Sequence, residues 1–233
     1  MTCERRVSLV QRSCDLARKG VRPGFLTERS SDPYGCNAMT EKRQLTPRGK
    51  ERRQQLMSFA AGRFAEGGFH PTSVAEIVSG LGVGKGVFYW YFDSKDQLFL
   101  EILRDAQQDL RRAQQHVIVD EPDPLRRIEL GIRASMQWFA QNRDLVNLFQ
   151  FAATEERFAP VLRRGQEVAL ADAVKHVKDG IVAGEIRDGE PEVLASAILG
   201  VISHLVRELI HVRGESPDDV ADAAVAFCLG GLR

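Results

Sequence analysis

The sequence predicts an all-α protein, and three observations carry that prediction. Apolar residues recur at helical spacing through most of the chain beyond residue 46. Proline, hydroxyl and acidic residues stand where helices would begin, and glycines where they would end. No alternating apolar–polar run is bounded by hairpin turn chemistry. With 233 residues, 43% apolar and 27% charged, the chain is long enough to bury one large core or two small ones. No apolar run approaches the roughly 18 residues of a membrane span, so no membrane partner is expected. The N-terminus lacks the sustained apolar stretch of a secretory signal, and a cytoplasmic protein is expected.

Residues 1–45 mix Arg, Ser, Gly and Pro with little apolar periodicity, and are expected to form a disordered extension. Met39 would make a natural start, which would leave residues 1–38 dispensable. The first helix is expected from about Pro47 to Glu66. Thr46 can cap it, Pro47 suits its first position, and Leu56, Phe59, Ala60 and Phe64 share one face. Gly67-Gly68 stops it. The second helix begins at Ser73, where Ser73 and Glu76 make a capping box. Val74, Ile77, Val78 and Leu81 give it an apolar face, and Gly82 permits a turn. The third helix covers roughly Gly84 to Phe92. Ser94 and Gln97 then launch a fourth, which runs to about His116. Beyond Asp120-Glu-Pro-Asp-Pro124, further helices are expected at 124–142, 144–153, 160–183, 190–213 and 217–229. This divides the chain into residues 46–104, with a three-helix helix-turn-helix fold, and residues 105–233, a second helical domain.

The second and third helices carry the chemistry. A short helix, a Gly-containing turn and a second short helix make a helix-turn-helix, whose second helix enters the DNA major groove. Within Lys85-Gly-Val-Phe-Tyr-Trp-Tyr-Phe92, five consecutive aromatics cannot all be buried on one short helix. Phe88 and Phe92 are expected inside; Lys85, Gly86, Val87, Tyr89, Trp90 and Tyr91 are expected to face DNA. Lys85 can donate to guanine or to phosphate. Gly86 allows close approach of the backbone, and Val87 could touch a thymine methyl. The Tyr and Trp donors suit phosphate oxygens. Ser73 and Val74 at the start of the second helix, and Lys95 at the start of the fourth, are placed to grip phosphates.

Charge is segregated although it sums to zero. Residues 1–38 hold 7 basic and 4 acidic groups, residues 39–104 hold 10 and 7, and residues 105–233 hold 15 and 21. The cluster Lys42, Arg43, Arg48, Lys50, Arg52 and Arg53 is either a phosphate-binding arm or a solvated basic stretch. Gly80-Leu-Gly-Val-Gly-Lys-Gly86 matches no nucleotide-binding motif, because Lys85 precedes Gly rather than Ser or Thr. Four cysteines without a CxxC pair argue against a zinc or redox motif. No GxSxG, HExxH or Cys–His arrangement points to an enzyme.

Residues 52–105 resemble the DNA-binding domain of the TetR family of bacterial transcriptional regulators. The likeness lies in Leu56-Met57, Ala60, Phe64-Ala65-Glu66, Gly68-Phe69, Thr72-Ser73-Val74, Glu76-Ile77, Gly82-Val83, Lys85-Gly86, Phe88-Tyr89, Tyr91-Phe92 and Ser94-Lys95, then Leu98. Two departures stand out. Gly84 replaces a small hydroxyl residue, so a cap or phosphate contact would be missing. Arg63 takes a position that is usually apolar, which would alter the packing of the first helix.

The resemblance implies a homodimer joined through the last two helices, reading a palindromic double-stranded DNA operator. It implies a C-terminal domain that binds a small-molecule effector and spreads the reading heads, most often in a repressor. Leu194, Ile198, Val201, Leu205 and Leu209, with Val220, Ala224, Phe227 and Cys228, form apolar faces suited to a dimer or to an intramolecular core. Trp138, Phe139, Phe149 and Phe151, with Phe158, are candidates for an apolar effector pocket, or are ordinary core. His204, Glu208 and His211 lie on one stripe and could take a metal or polar ligand, or face solvent or an interface. No cofactor and no resident metal are expected. The alternatives are an activator or a metal-responsive regulator of the same fold, or a helical interaction protein that binds no DNA.

Overall fold

Thr46 opens the first helix: its Oγ1 accepts the Gly49 N–H at 3.2 Å, and Pro47 fills the first helical position, where a missing N–H costs nothing. The computed structural model describes residues 45–232. The N-terminal extension, the Met39 start, Lys42, Arg43 and three of the four cysteines lie outside the described residues.

Helix α1 spans Pro47–Gly67 and ends where Gly68 adopts φ +84, returning its N–H to the Phe64 carbonyl at 3.0 Å. Helix α2, Val74–Gly80, is capped by Ser73, whose Oγ accepts the Glu76 N–H at 3.1 Å. Gly82 at φ +64 reverses the chain into α3, Lys85–Tyr91. Ser94 caps α4, Lys95–Ile118, by accepting the Gln97 N–H at 3.0 Å. Asp123 caps α5, Pro124–Gln141, through two backbone N–H groups. Then follow α6, Arg143–Thr154, α7, Ala159–Val182, α8, Pro191–Leu205, and α9, Pro217–Leu232. The described residues contain no strand, and the fold is all-α.

Two features depart from expectation. The helix expected over 190–213 is wound as α only to Leu205; Val206–Val212 continues it as a π-helix. Hydrophobic spacing over seven residues does not distinguish a slightly wider turn from an α turn. Arg143 at the start of α6 donates to the Ile210 carbonyl of this segment at 2.9 Å. In addition, Pro191–Val212 is long and apolar enough to cross a membrane by length and composition, with a mean hydropathy of 1.8. Glu192, Arg207 and Glu208 are the charged residues within this segment. Leu194, Ala195, Ile198, Ile202, Val206 and Ile210 bury one face of this segment against the rest of the protein.

Two apolar cores organise the helices. The first gathers α1 to α4 around Leu56, Phe64, Phe69, Phe88, Phe92 and Phe99. It also recruits Leu148 and Ala152 of α6 and Phe158 of the α6–α7 corner. The second is built by α5, α7, α8, the π-helical segment and α9, around Ile132, Met136, Val177, Ala195, Ile210 and Ala224.

Candidate nucleic-acid interface

The third helix is oriented by what it buries. Phe88 and Phe92 are fully inside the first core, with ring centroids 5.7 Å apart, and the Arg53 guanidinium covers the Phe92 ring at 5.2 Å. Two aromatics four residues apart fix which side of the helix turns inward. The opposite side leaves Lys85, Gly86, Tyr89 and Trp90 exposed, the last two at 55% and 52%. Tyr89 rests edge-on against the buried Phe88 at 5.2 Å, and Trp90 against the half-buried Tyr91 at 4.5 Å. Val87 and Tyr91 are half-buried at the margin. A Cβ at Gly86 would meet nothing within 4 Å, which leaves the α3 backbone open to an approaching surface.

Ser73 is exposed at the start of α2, and Val74 is half-buried beside it. The Ser73 hydroxyl is the helix cap. The Glu76 carboxylate turns instead to Arg63, which donates from Nε at 3.0 Å and through a second, shorter bond, while its Nη1 reaches Glu66 at 2.8 Å. The Arg63 hydrogen bond holds the Glu76 carboxyl below its usual range, and Glu76 raises the guanidinium in return. Arg63 thus ties α1 to α2 from the rim of the core, which is how a charge is accommodated there. Gly84 caps α3 with no side-chain hydrogen bond, as its lack of a hydroxyl dictates.

Lys95 at the start of α4 is engaged by the protein's own backbone. Its ammonium donates to the carbonyls of Phe69, His70 and Thr72 at 2.8, 3.2 and 2.9 Å, and it lies 4.4 Å from the centre of the Phe69 ring. An ammonium has three N–H groups, and these three acceptors take them. Desolvation lowers its pKa. Lys95 pins the α1–α2 turn to the start of α4. Within the basic cluster, Arg48 and Lys50 are exposed, whereas Arg53 is committed to Glu101 at 2.8 Å.

The residues expected to line an effector pocket do not converge. Trp138 is buried, and its Nε1–H donates to Asp109 at 2.7 Å, joining α5 to α4. Phe139 packs against the second core. Phe149 and Phe151 pack against the first, and Phe151 stacks on Phe69 at 5.6 Å. His204 is exposed on α8. His204, Glu208 and His211 are separated by the π-helical register, and the described residues contain no metal-competent group of three His, Cys, Asp or Glu side chains.

The apolar stripes of the last two helices also divide. Leu194, Ile198, Val220, Ala224 and Cys228 belong to the chain's own core, while Val201, Leu205 and Leu209 are half-buried. The outward face instead carries Val193, Ala197, Gly200 and His204 of α8, with Ala223 and Phe227 of α9, and Phe227 is 70% exposed.

Two arrangements had no sequence signal, because each unites residues tens of positions apart. At the α6–α7 corner, Arg157 pairs with Asp96 at 2.7 Å and lies over the rings of Phe69 and Phe158, and Glu155 meets His70 at 3.2 Å. Between α1, α4 and the α5–α6 junction lies a half-open cleft of about 380 Å³. None of the expected effector residues lines it.

Comparison with known proteins agrees with this geometry. Residues 56–102 match the family model described as bacterial regulatory proteins, tetR family. The chain is 25% identical over 193 residues to the HTH-type transcriptional regulator YdgC of Bacillus subtilis strain 168, itself uncharacterized, covering 81% of this chain and 96% of that one. It resembles the solved ketosteroid transcriptional regulator KstR2 of Mycobacterium tuberculosis at 26% identity and a TM-score of 0.62, over 78% of this chain and 94% of the other. The fatty acid degradation regulator FadR of Bacillus halodurans shares the fold, with a TM-score of 0.71 at 16% identity over 78% and 96%.

Proposed function

We propose that this chain, which belongs to the TetR family of DNA-binding bacterial transcriptional regulators, is a dimeric repressor released from a palindromic operator by a small apolar effector. One observation carries the reading most directly: Phe88 and Phe92 anchor α3 so that Lys85, Gly86, Tyr89 and Trp90 form an unobstructed outward row. A cation, an open backbone and two ring donors are the groups that meet phosphates and base edges in a major groove. Val87 and Tyr91 flank the row, and Ser73 and Val74 extend it along the backbone side. Residues 46–104 are the reading domain in this scheme, and residues 105–233 regulate it from the same compartment as the DNA.

Dimerisation through α8 and α9 is supported by the exposed row of small and apolar residues with Phe227 at its edge. An apolar effector is supported by the second core, where the partly buried Phe139 and Leu170 pack against a cluster that includes Ile128, Ile132 and Met136. A relative described as a ketosteroid transcriptional regulator points the same way. Repression is supported by the KstR2 relatives, described as transcriptional repressors, such as the Mycobacterium tuberculosis protein at 28% identity over 120 residues.

The test is fluorescence anisotropy of the purified protein on its own upstream DNA, with a scrambled duplex as competitor. Specific binding that Lys85→Ala or Tyr89→Ala weakens at least about tenfold, with the helical fold retained, supports the proposal. Equal affinity for both duplexes, or unchanged binding in both variants, removes α3 as the reading element.

A further inference from the structure

The cleft between α1, α4 and the α5–α6 junction has walls of two kinds. Met57, Ile102 and Leu145 supply hydrocarbon and a thioether, and α4 supplies Asp105 and Asp109, one turn apart. Arg112 is the basic residue in the lining, and it is already committed: its Nη2 donates to Asp109 Oδ1 at 3.1 Å. The other oxygen of Asp109 accepts the Trp138 Nε1–H at 2.7 Å. Asp109 is therefore matched on both oxygens. Asp105 is not. Its hydrogen-bond donor among the described residues is Gln54 Nε2, at 3.4 Å, near the limit for such a bond. An ionised carboxylate can accept about four hydrogen bonds, so the half-exposed Asp105 on the cleft wall has room for a further donor from a ligand.

We infer that this cleft binds a small organic ammonium ion. Its N–H groups bond to Asp105, and its hydrocarbon body lies against Met57, Ile102 and Leu145. Charge and volume select this class together. An anion would meet two carboxylates and one arginine already in an ion pair. A neutral ligand would bring Asp105 no charged donor, and charge-assisted hydrogen bonds are the stronger ones. A bare metal ion would find one carboxylate with free oxygens and no further anionic ligand. The hollow of about 380 Å³ lies in the range of small-molecule pockets and holds an amine with a compact apolar body. The site is separate from the second core, where the proposed effector would sit, and it touches α1 of the reading domain as well as the α5–α6 junction.

Titration of the full chain, without DNA, tests the assignment. Benzylamine and its neutral isostere benzyl alcohol are compared at pH 7 by calorimetry, with two-dimensional NMR to locate the perturbed residues. Benzylamine is expected to bind saturably and to shift residues around Asp105. Benzyl alcohol is expected to bind about tenfold more weakly or worse, the scale of one charge-assisted hydrogen bond. Asp105→Asn should reduce benzylamine to the level of benzyl alcohol. Ser58→Trp, at an exposed position on the cleft rim, should block both probes while the melting curve is retained, and it carries the test if Asp105→Asn unfolds. Absence of saturable benzylamine binding overturns the inference. So does equal affinity for the two probes, or binding indifferent to Asp105→Asn or Ser58→Trp in the folded variants. Operator binding is not part of the readout, so failure here leaves the regulatory proposal standing.

Discussion

The Lys95 ammonium lies 2.8 Å from the Phe69 carbonyl oxygen and 4.4 Å from the centre of the Phe69 ring, so one cation serves both the backbone and the side chain of the same residue. Phe69 in turn sits 4.9 Å from Phe99 and 5.2 Å from Phe64, in the middle of the first core. The α1–α2 turn is thereby held to α4 from both inside and outside.

Replacing Lys95 by Met keeps the apolar stem and removes the three donors. We expect a loss of about 1–3 kcal/mol in unfolding free energy, because three carbonyls lose a charged partner. Denaturant titration measures it. A variant as stable as the parent would show that water replaces the ammonium without cost.

Gly84 leaves the N-terminus of α3 without a side-chain cap, its φ is −80, and a Cβ there would meet nothing within 4 Å. Gly84→Ser should fit without strain and gain up to about 1 kcal/mol. A rise in thermal midpoint with unchanged circular dichroism is the expected signature.

Salt dependence separates contact types on α3. The logarithm of operator affinity should fall linearly with the logarithm of salt concentration, and Lys85→Ala should shallow that slope by about 0.9. Tyr89→Phe, which removes a neutral hydroxyl, should weaken binding without changing the slope. A slope unaltered by Lys85→Ala would mean that this ammonium does not meet a phosphate.

Acid should weaken the fold before the carboxylates titrate. Burial lowers the pKa of His176 below its ordinary 6.5, assisted by the Arg127 charge and Lys175 and opposed by Asp179 and Asp172. Burial and Arg143 lower that of His211 likewise. A histidine held neutral in the native state binds its proton more readily when unfolded. Its contribution is therefore complete above pH 6.5 and is lost as pH falls through the lowered native values. Melting temperature should drop between pH 7 and 5. His176→Gln should flatten that drop, and a profile identical to the parent would exclude His176 as a source.

Phe227→Glu tests the α8–α9 face. The side chain is 70% exposed in the single chain, so the fold should survive. Burying an unpaired carboxylate from each copy should raise the dimer dissociation constant about 100-fold or more, as seen by sedimentation.

What the sequence disclosed depended on how local the physics was. Caps and stops such as Thr46, Gly68, Ser73, Gly82 and Ser94 act within four residues, and each helix boundary they imply lies close to the observed one. The inward turn of Phe88 and Phe92 followed from spacing and from the surplus of rings on a short helix. The carbonyl partners of Lys95 lie 23 to 26 positions away, where no periodicity points. Composition marks Phe149 and Phe151 as rings for a pocket or a core, but not which core receives them. The cleft at Asp105 had no trace at all, since its walls are separated by up to about 90 positions and meet only through packing.

The aromatic packing at the α6–α7 corner bears on how such regulators can be recombined. Phe158 lies 4.6 Å from Phe99 and 5.3 Å from Phe69, and Phe151 lies 5.6 Å from Phe69. A chimera spliced just after residue 104 would carry α1 to α3 and the first turns of α4 but leave these rings facing strangers. The exchangeable unit is discontinuous: a donor of DNA specificity would need to bring α6 and its corner along with its first four helices. Drift at Phe151 or Phe158 would accordingly be answered by drift at Phe69 or Phe99, across a boundary that a linear map of the chain draws as a clean cut.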